Sequence, residues 1–236
     1  TSGATTASID NVSVKEYLGQ EVVPDSGCGS WLFEPQSTNL VPYSEDFSDA
    51  SWFKLNTTLT SNSTISPDGT INASTIGKTL NLSSYIRTTL NFTENTYTSV
   101  FVKKGSCNWC YFFGAGAAFY FDLENGVIGT SEGAVVDKGF TDYGNGWFRL
   151  YIKSSVIGTF TMRIYPCNDN NDIVSGSGNI NIWGAQSEEN YTTSYIPTSG
   201  STVTRNQDVC NNGGSLASIN STEGVLYAEI AALAND

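Results

Sequence analysis

Residues 141–205 admit one kind of secondary structure. Tyr143-Gly144-Asn145-Gly146 is a turn, because Gly takes positive φ freely and Asn tolerates it. Trp147 to Ile152 then alternates bulky and mixed side chains, as a half-buried strand does. Ile180-Asn181-Ile182-Trp183 repeats the pattern. Tyr195-Ile196-Pro197 ends it, since Pro cannot continue a central ladder. No helical spacing of apolar residues occurs. The segment reads as the closing part of an antiparallel β-sandwich.

The preceding sequence continues in the same idiom. Residues 54–65, 71–76, 80–90 and 97–103 read as strands rich in Thr, Ser and β-branched residues, with Pro67-Asp68-Gly69 as a tight turn. Residues 109–121, WCYFFGAGAAFYF, are two aromatic strand segments around Gly114-Ala115-Gly116-Ala117. Trp109, Phe112, Phe119 and Phe121 are expected in the core. Asn125-Gly126 is a hairpin signal, and residues 127–136 are the return strand. Residues 160–165 form the next strand and residues 179–188 the last long one.

Aromatic residues make up 12% of the 236-residue chain and charged residues only 14%. That is enough to bury a core, under a surface that meets water through hydroxyls and amides. The net charge is −12. It repels a duplex-phosphate partner, and Lys103-Lys104 is too short a basic cluster to offset it. The chain has no histidine, which excludes Ser-His-Asp and Cys-His nucleophile systems and His-containing zinc sites. A pair of carboxylates would still suffice for glycoside chemistry. No apolar run reaches the length of a membrane span, so membrane insertion is not expected.

The five cysteines are Cys28, Cys107, Cys110, Cys167 and Cys210; the odd count leaves a free thiol or an intermolecular bond. Cys107 and Cys110 have redox or zinc spacing, but they lie in an aromatic strand pattern without a second such pair. Cys28 and Cys210 bracket the main domain and would be bridged if its ends meet. Asn-x-Ser/Thr triplets begin at Asn11, Asn56, Asn62, Asn72, Asn81, Asn91, Asn190 and Asn220. In a chain this rich in those residues, chance accounts for them.

Breaker-rich stretches divide the chain. Residues 1–17 read as the last strand of a preceding β domain and 18–29 as a linker. Residues 30–208 read as the central sandwich, 209–223 as a second linker, and 224–236 as the first strand of a following sandwich. The chain lacks an initiating Met and reads as part of something longer.

Ordered motifs run through the central domain: Glu34-Pro35-Gln36, Thr38-Asn39-Leu40, Tyr43-Ser44-Glu45, Phe47, Ala50, Trp52 and Pro67-Asp68-Gly69-Thr70. Phe101 to Gly105, Phe121-Asp122-Leu123, Gly144 to Trp147, Trp183 to Gln186, Ser194 to Pro197 and Val203-Thr204-Arg205 follow. In this order they resemble a group of bacteriophage tail-fibre, tail-spike and head-fibre modules, across residues 30–208. The resemblance implies an all-β antiparallel jelly-roll sandwich. It also implies a non-catalytic virion component, exposed at the virion surface, working as a homo-oligomer (a trimer), contacting other virion proteins and adhering to a host-surface glycan. The IDNVSV run at residues 9–14 resembles the last strand of carbohydrate-binding jelly rolls, in which such an Asp helps hold a structural calcium; Asp10 is the candidate. The EG-LYAE segment from Glu223 resembles the opening of a concanavalin-like sandwich.

For the glycan, Trp109, Tyr111 and Tyr120 are the candidate stacking platform, since aromatic faces pack on the C–H faces of pyranose rings. Asp169 and Asp172, within a loop of hard oxygen donors at residues 166–178, are candidate calcium ligands. An alternative function is a carbohydrate-binding module of a secreted polysaccharide-degrading enzyme. A third is a glycan-cleaving sandwich using Asp/Glu pairs or Tyr.

Overall fold

The chain forms fourteen strands and no helix among residues 34–208, which this computed structural model describes. Asp10, Cys28 and Cys210, and the segments expected to belong to flanking domains, lie outside those residues. The strands are β1 (Ser37–Asn39), β2 (Phe53–Leu55), β3 (Thr57–Thr64), β4 (Ala73–Lys78), β5 (Tyr85–Phe92), β6 (Thr96–Lys104) and β7 (Trp109–Gly114). They continue with β8 (Ala117–Asp122), β9 (Val127–Gly133), β10 (Val135–Asp142), β11 (Trp147–Ser154), β12 (Gly158–Cys167), β13 (Gly178–Glu189) and β14 (Val203–Arg205).

Two six-stranded sheets pack face to face as a jelly-roll sandwich. The first has the order β10-β11-β6-β13-β4-β3 and the second β2-β5-β12-β7-β8-β9, all pairings antiparallel. Between them Phe47, Trp52, Val102, Phe112, Phe119 and Ile164 join one apolar core. The unit Glu34–Gln207 is closed by β1 and β14, which pair Ser37 with Arg205. Glu34 and Arg205 form a buried ion pair beside that closure.

Several strand boundaries differ from those the sequence suggests. The segment from Leu80 begins with a turn in which Leu80 and Leu82 are exposed, and the strand starts only at Tyr85. Residues 54–65 break at Asn56, which takes positive φ. The return strand after Asn125-Gly126 is two strands in two sheets: β9 belongs to the second and β10 to the first. Gly133 makes that corner. Its φ is +75°, and a Cβ there would lie 2.1 Å from the carbonyl oxygen of Gly116. Among the Asn-x-Ser/Thr triplets, Asn56, Asn62, Asn81 and Asn190 all have positive φ. Asn is therefore at these positions for turn chemistry, being the residue after Gly that best tolerates that conformation.

Candidate functional site

In β7 both parities are apolar, so each face of the second sheet receives large side chains. Cys110 and Phe112 enter the core between the sheets. Trp109, Tyr111 and Phe113 point the other way and meet Ala118, Tyr120, Tyr165 and Cys167 in a second cluster on the outer face. Trp109 is thus only partly buried, against that outer cluster rather than in the main core.

Four tyrosines make a continuous row across four strands of this face. Ring centroids are 4.7 Å apart for Tyr85 and Tyr165, 5.1 Å for Tyr165 and Tyr111, and 4.5 Å for Tyr111 and Tyr120. Such tilted and edge-on pairs are worth about 0.5–1.5 kcal/mol each beyond the area they bury. The loop at residues 168–177 covers one end of the row. Ile173 packs on it, and Asn170 Oδ1 accepts the amide hydrogen of Thr130 at 2.9 Å. Tyr111, Tyr120 and Tyr165 retain 8%, 3% and 5% of their accessible surface. Their ring faces are therefore taken up by one another. Burial pushes all three phenols above their ordinary pKa, and hydrogen bonding to Glu132 adds to the rise at Tyr111. They remain neutral hydroxyls, and that of Tyr111 donates to Glu132 Oε2 at 3.0 Å.

One register step away lies a row of different chemistry. Phe53 pairs with Arg87, Arg87 with Arg163, Arg163 with Phe113, Phe113 with Ala118, and Ala118 with Glu132. The Arg87 guanidinium sits 4.9 Å from the Phe53 ring centroid. That of Arg163 sits 4.9 Å from Phe113 and 5.7 Å from Tyr85. Phe53 is 47% exposed, and both arginines and Phe113 are half-buried. This row, not Tyr111 and Tyr120, presents aromatic surface to solvent. Of the sequence candidates, the fold brings Trp109, Tyr111 and Tyr120 into one cluster, with the two tyrosines as its interior. Sequence reasoning missed Phe53, Tyr85, Arg87, Phe113, Arg163 and Tyr165. The alternation of Tyr85 and Arg87, and of Arg163 and Tyr165, was the available signal.

The outer face of the first sheet is occupied by the chain itself. Phe101, Trp147, Trp183 and Ala73 pack there with Tyr195. Trp147 Nε1 donates to the Ile65 carbonyl at 3.1 Å, and Arg149 donates to the Thr193 carbonyl at 2.8 Å.

Asp169 and Asp172 form an isolated antiparallel bridge. Asp172 Oδ1 accepts the amides of Val174 and Ser175, and Asp169 Oδ1 that of Asn170. Among the described residues no group of three His, Cys, Asp or Glu side chains could hold a metal. Both carboxylates accept backbone amides of their own loop. Cys107, Cys110 and Cys167 are free and buried. No protein-family model matches this chain, and no curated protein matches it either, so the outer face of the second sheet must be read from its own geometry.

Proposed function

We propose that Glu34–Gln207 is a non-catalytic module of a bacteriophage fibre or spike that adheres to host-surface glycans with the outer face of its second sheet. The observation that carries the adhesive part is the half-open row Phe53–Arg87–Arg163–Phe113 beside the tyrosine row. Exposed aromatic surface offers stacking for pyranose C–H faces, and guanidinium donors offer orientation through a few placed polar groups. The rows lie on strands rather than on loops, so the surface is rigid before any ligand arrives, which lowers the cost of binding. The virion part is supported by the ordered motifs from Glu34 to Arg205. A histidine-free chain, without the usual nucleophile systems, suits recognition rather than bond breaking. In this reading the module works at the virion surface, as a trimer within an appendage built with other virion proteins.

The test is immunogold labelling of negatively stained particles with antibody raised against the chain, paired with sedimentation of the purified chain. Label confined to appendages and a trimeric mass are the expected results. Material found only as a monomeric soluble enzyme, never on particles, overturns the proposal. A glycosidase or lyase domain on the same polypeptide would assign the face to a secreted polysaccharide-degrading enzyme instead.

A further inference from the structure

Arg87 and Arg163 are direct cross-strand partners, an arrangement that folding alone disfavours because like charges opposite each other destabilise a sheet. The chain carries 23 acidic side chains against 11 basic ones, yet neither arginine is paired with one. The ion pairs among the described residues belong to Lys104 with Glu124 and Arg205 with Glu34. Arg87 Nε is buried and has no hydrogen-bond partner. Arg163 donates only to hydroxyls, Thr161 Oγ1 at 2.8 Å and Tyr165 Oη at 3.5 Å. Arg149, on the other sheet, is by contrast engaged through three nitrogens with Ser99 and Thr193. The acid in the same row is Glu132, which lies beyond Phe113 and Ala118 and is held by Tyr111.

Both guanidinium groups are positioned by the rings beneath them, Arg87 by Phe53 and Arg163 by Phe113 and Tyr85. Stacking on a ring uses the faces of a guanidinium and leaves its hydrogen-bonding edge available. A planar fork of donors matches an oxyanion through paired, charge-assisted hydrogen bonds. We propose that Arg87 and Arg163 form a receptor for an oxyanion carried on a sugar ring, a carboxylate or phosphate, whose apolar face lies on Phe53 or Phe113. The inference rests on the adhesion reading above and names its ligand class. The chain's net charge of −12 disfavours densely charged polymers. At physiological ionic strength it is screened over about 8 Å, while contact-range pairing persists. Glycans with widely spaced charges therefore suit this face.

The experiment is binding of the full chain to an array of bacterial polysaccharides that are neutral, uronate-bearing or phosphate-bearing, with carboxyl-esterified copies of the uronates. Acidic glycans should be retained over neutral ones, and the two acidic arms tell carboxylate from phosphate. If the uronates are the ones retained, esterification should abolish the signal. Arg87→Gln and Arg163→Gln should each weaken retention tenfold or more while keeping a thermal midpoint at or above the parent's, since each relieves a repulsion. Arg163→Lys, which keeps the charge and loses the fork, should also weaken it. Neutral glycans bound equally by parent and variants overturn the oxyanion receptor and leave adhesion standing. Binding to no glycan overturns both. Arginine variants that change the oligomeric mass and not glycan retention mean that a second copy's acids meet this face, which overturns the receptor.

Discussion

The hydroxyl of Tyr195 lies 3.0 Å from Glu45 Oε1, joining residues 150 positions apart in the chain. Asn72 donates to the other carboxylate oxygen at 3.0 Å, while its own Oδ1 is buried without a partner. Burial raises the pKa of Glu45 above 4.5, the hydrogen bond from Tyr195 opposes the rise, and the nearby Asp68 carboxylate adds to it.

A raised carboxyl pKa means that the folded state holds its proton more tightly than the unfolded chain. Glu45 therefore favours folding most at low pH, and this contribution is lost as pH rises through its raised pKa. Asp172 has the opposite sign. Its pKa is lowered to about 2 by hydrogen bonds from Ser175 and the Val174 amide. Its contribution is present above the ordinary value of 3.8 and is lost as pH falls toward 2. Glu45→Gln, which removes the titrating carboxyl, should flatten the decline above pH 4.5. Asp172→Asn should flatten the acid limb. Urea denaturation across pH checks both, and unchanged slopes refute the assignment.

Arg205 and Glu34 retain 4% and 8% of their accessible surface. Arg205→Met leaves a carboxylate buried opposite a thioether and should cost about 3–5 kcal/mol. Adding Glu34→Leu should recover part of that loss, because two apolar groups need no counter-charge. Chemical denaturation of the single and double variants supplies the comparison. A double variant as weak as the single one contradicts it.

Gly133→Ala should be costly despite being the smallest possible change. The new methyl would meet the Gly116 carbonyl oxygen, which also accepts the Ala134 amide at 3.1 Å, and the backbone would be strained at φ +75°. A loss of about 1–3 kcal/mol is expected from the strain alone, read as an earlier unfolding midpoint in urea. Gly69→Ala is the control: φ is also positive, at +87°, but nothing lies within 4 Å. Its loss should be smaller.

Burial pushes the Cys107 thiol up to about 11 and that of Cys167 up to about 12, and it carries Cys110 well above its ordinary value. Thiolates, not thiols, attack disulfide reagents. At pH 8 in native conditions these three should not react with Ellman's reagent, and guanidinium should release three additional equivalents. Rapid native labelling of any of them, located by peptide mapping, would contradict the burial.

The central sandwich was legible where alternation has one apolar parity. Leu150 and Ile152 enter the core, as the turn and strand at residues 143–152 require. Phe112, Phe119 and Phe121 do the same. In Trp109 to Phe113 both parities are bulky, so alternation does not say which set faces the partner sheet. Trp109 consequently went outward. The corner at Gly133 was hidden because a single glycine inside an apparent strand looks like an interruption rather than a change of sheet. The row Phe53–Arg87–Arg163–Phe113 was hidden for a different reason. Its members come from four strands, and only their register brings them side by side.

The pairing of Ser37 with Arg205 has a practical corollary. Directly paired residues of an antiparallel ladder have Cα atoms about 4.5–5.5 Å apart, so this unit begins and finishes at one doorway. It is a cassette in the engineering sense: spliced into an exposed hairpin of an unrelated host, it would hardly spread the host's ends. Joining its own ends with a short bridge and reopening it at the Asn125-Gly126 hairpin should yield a circular permutant with the same two sheets.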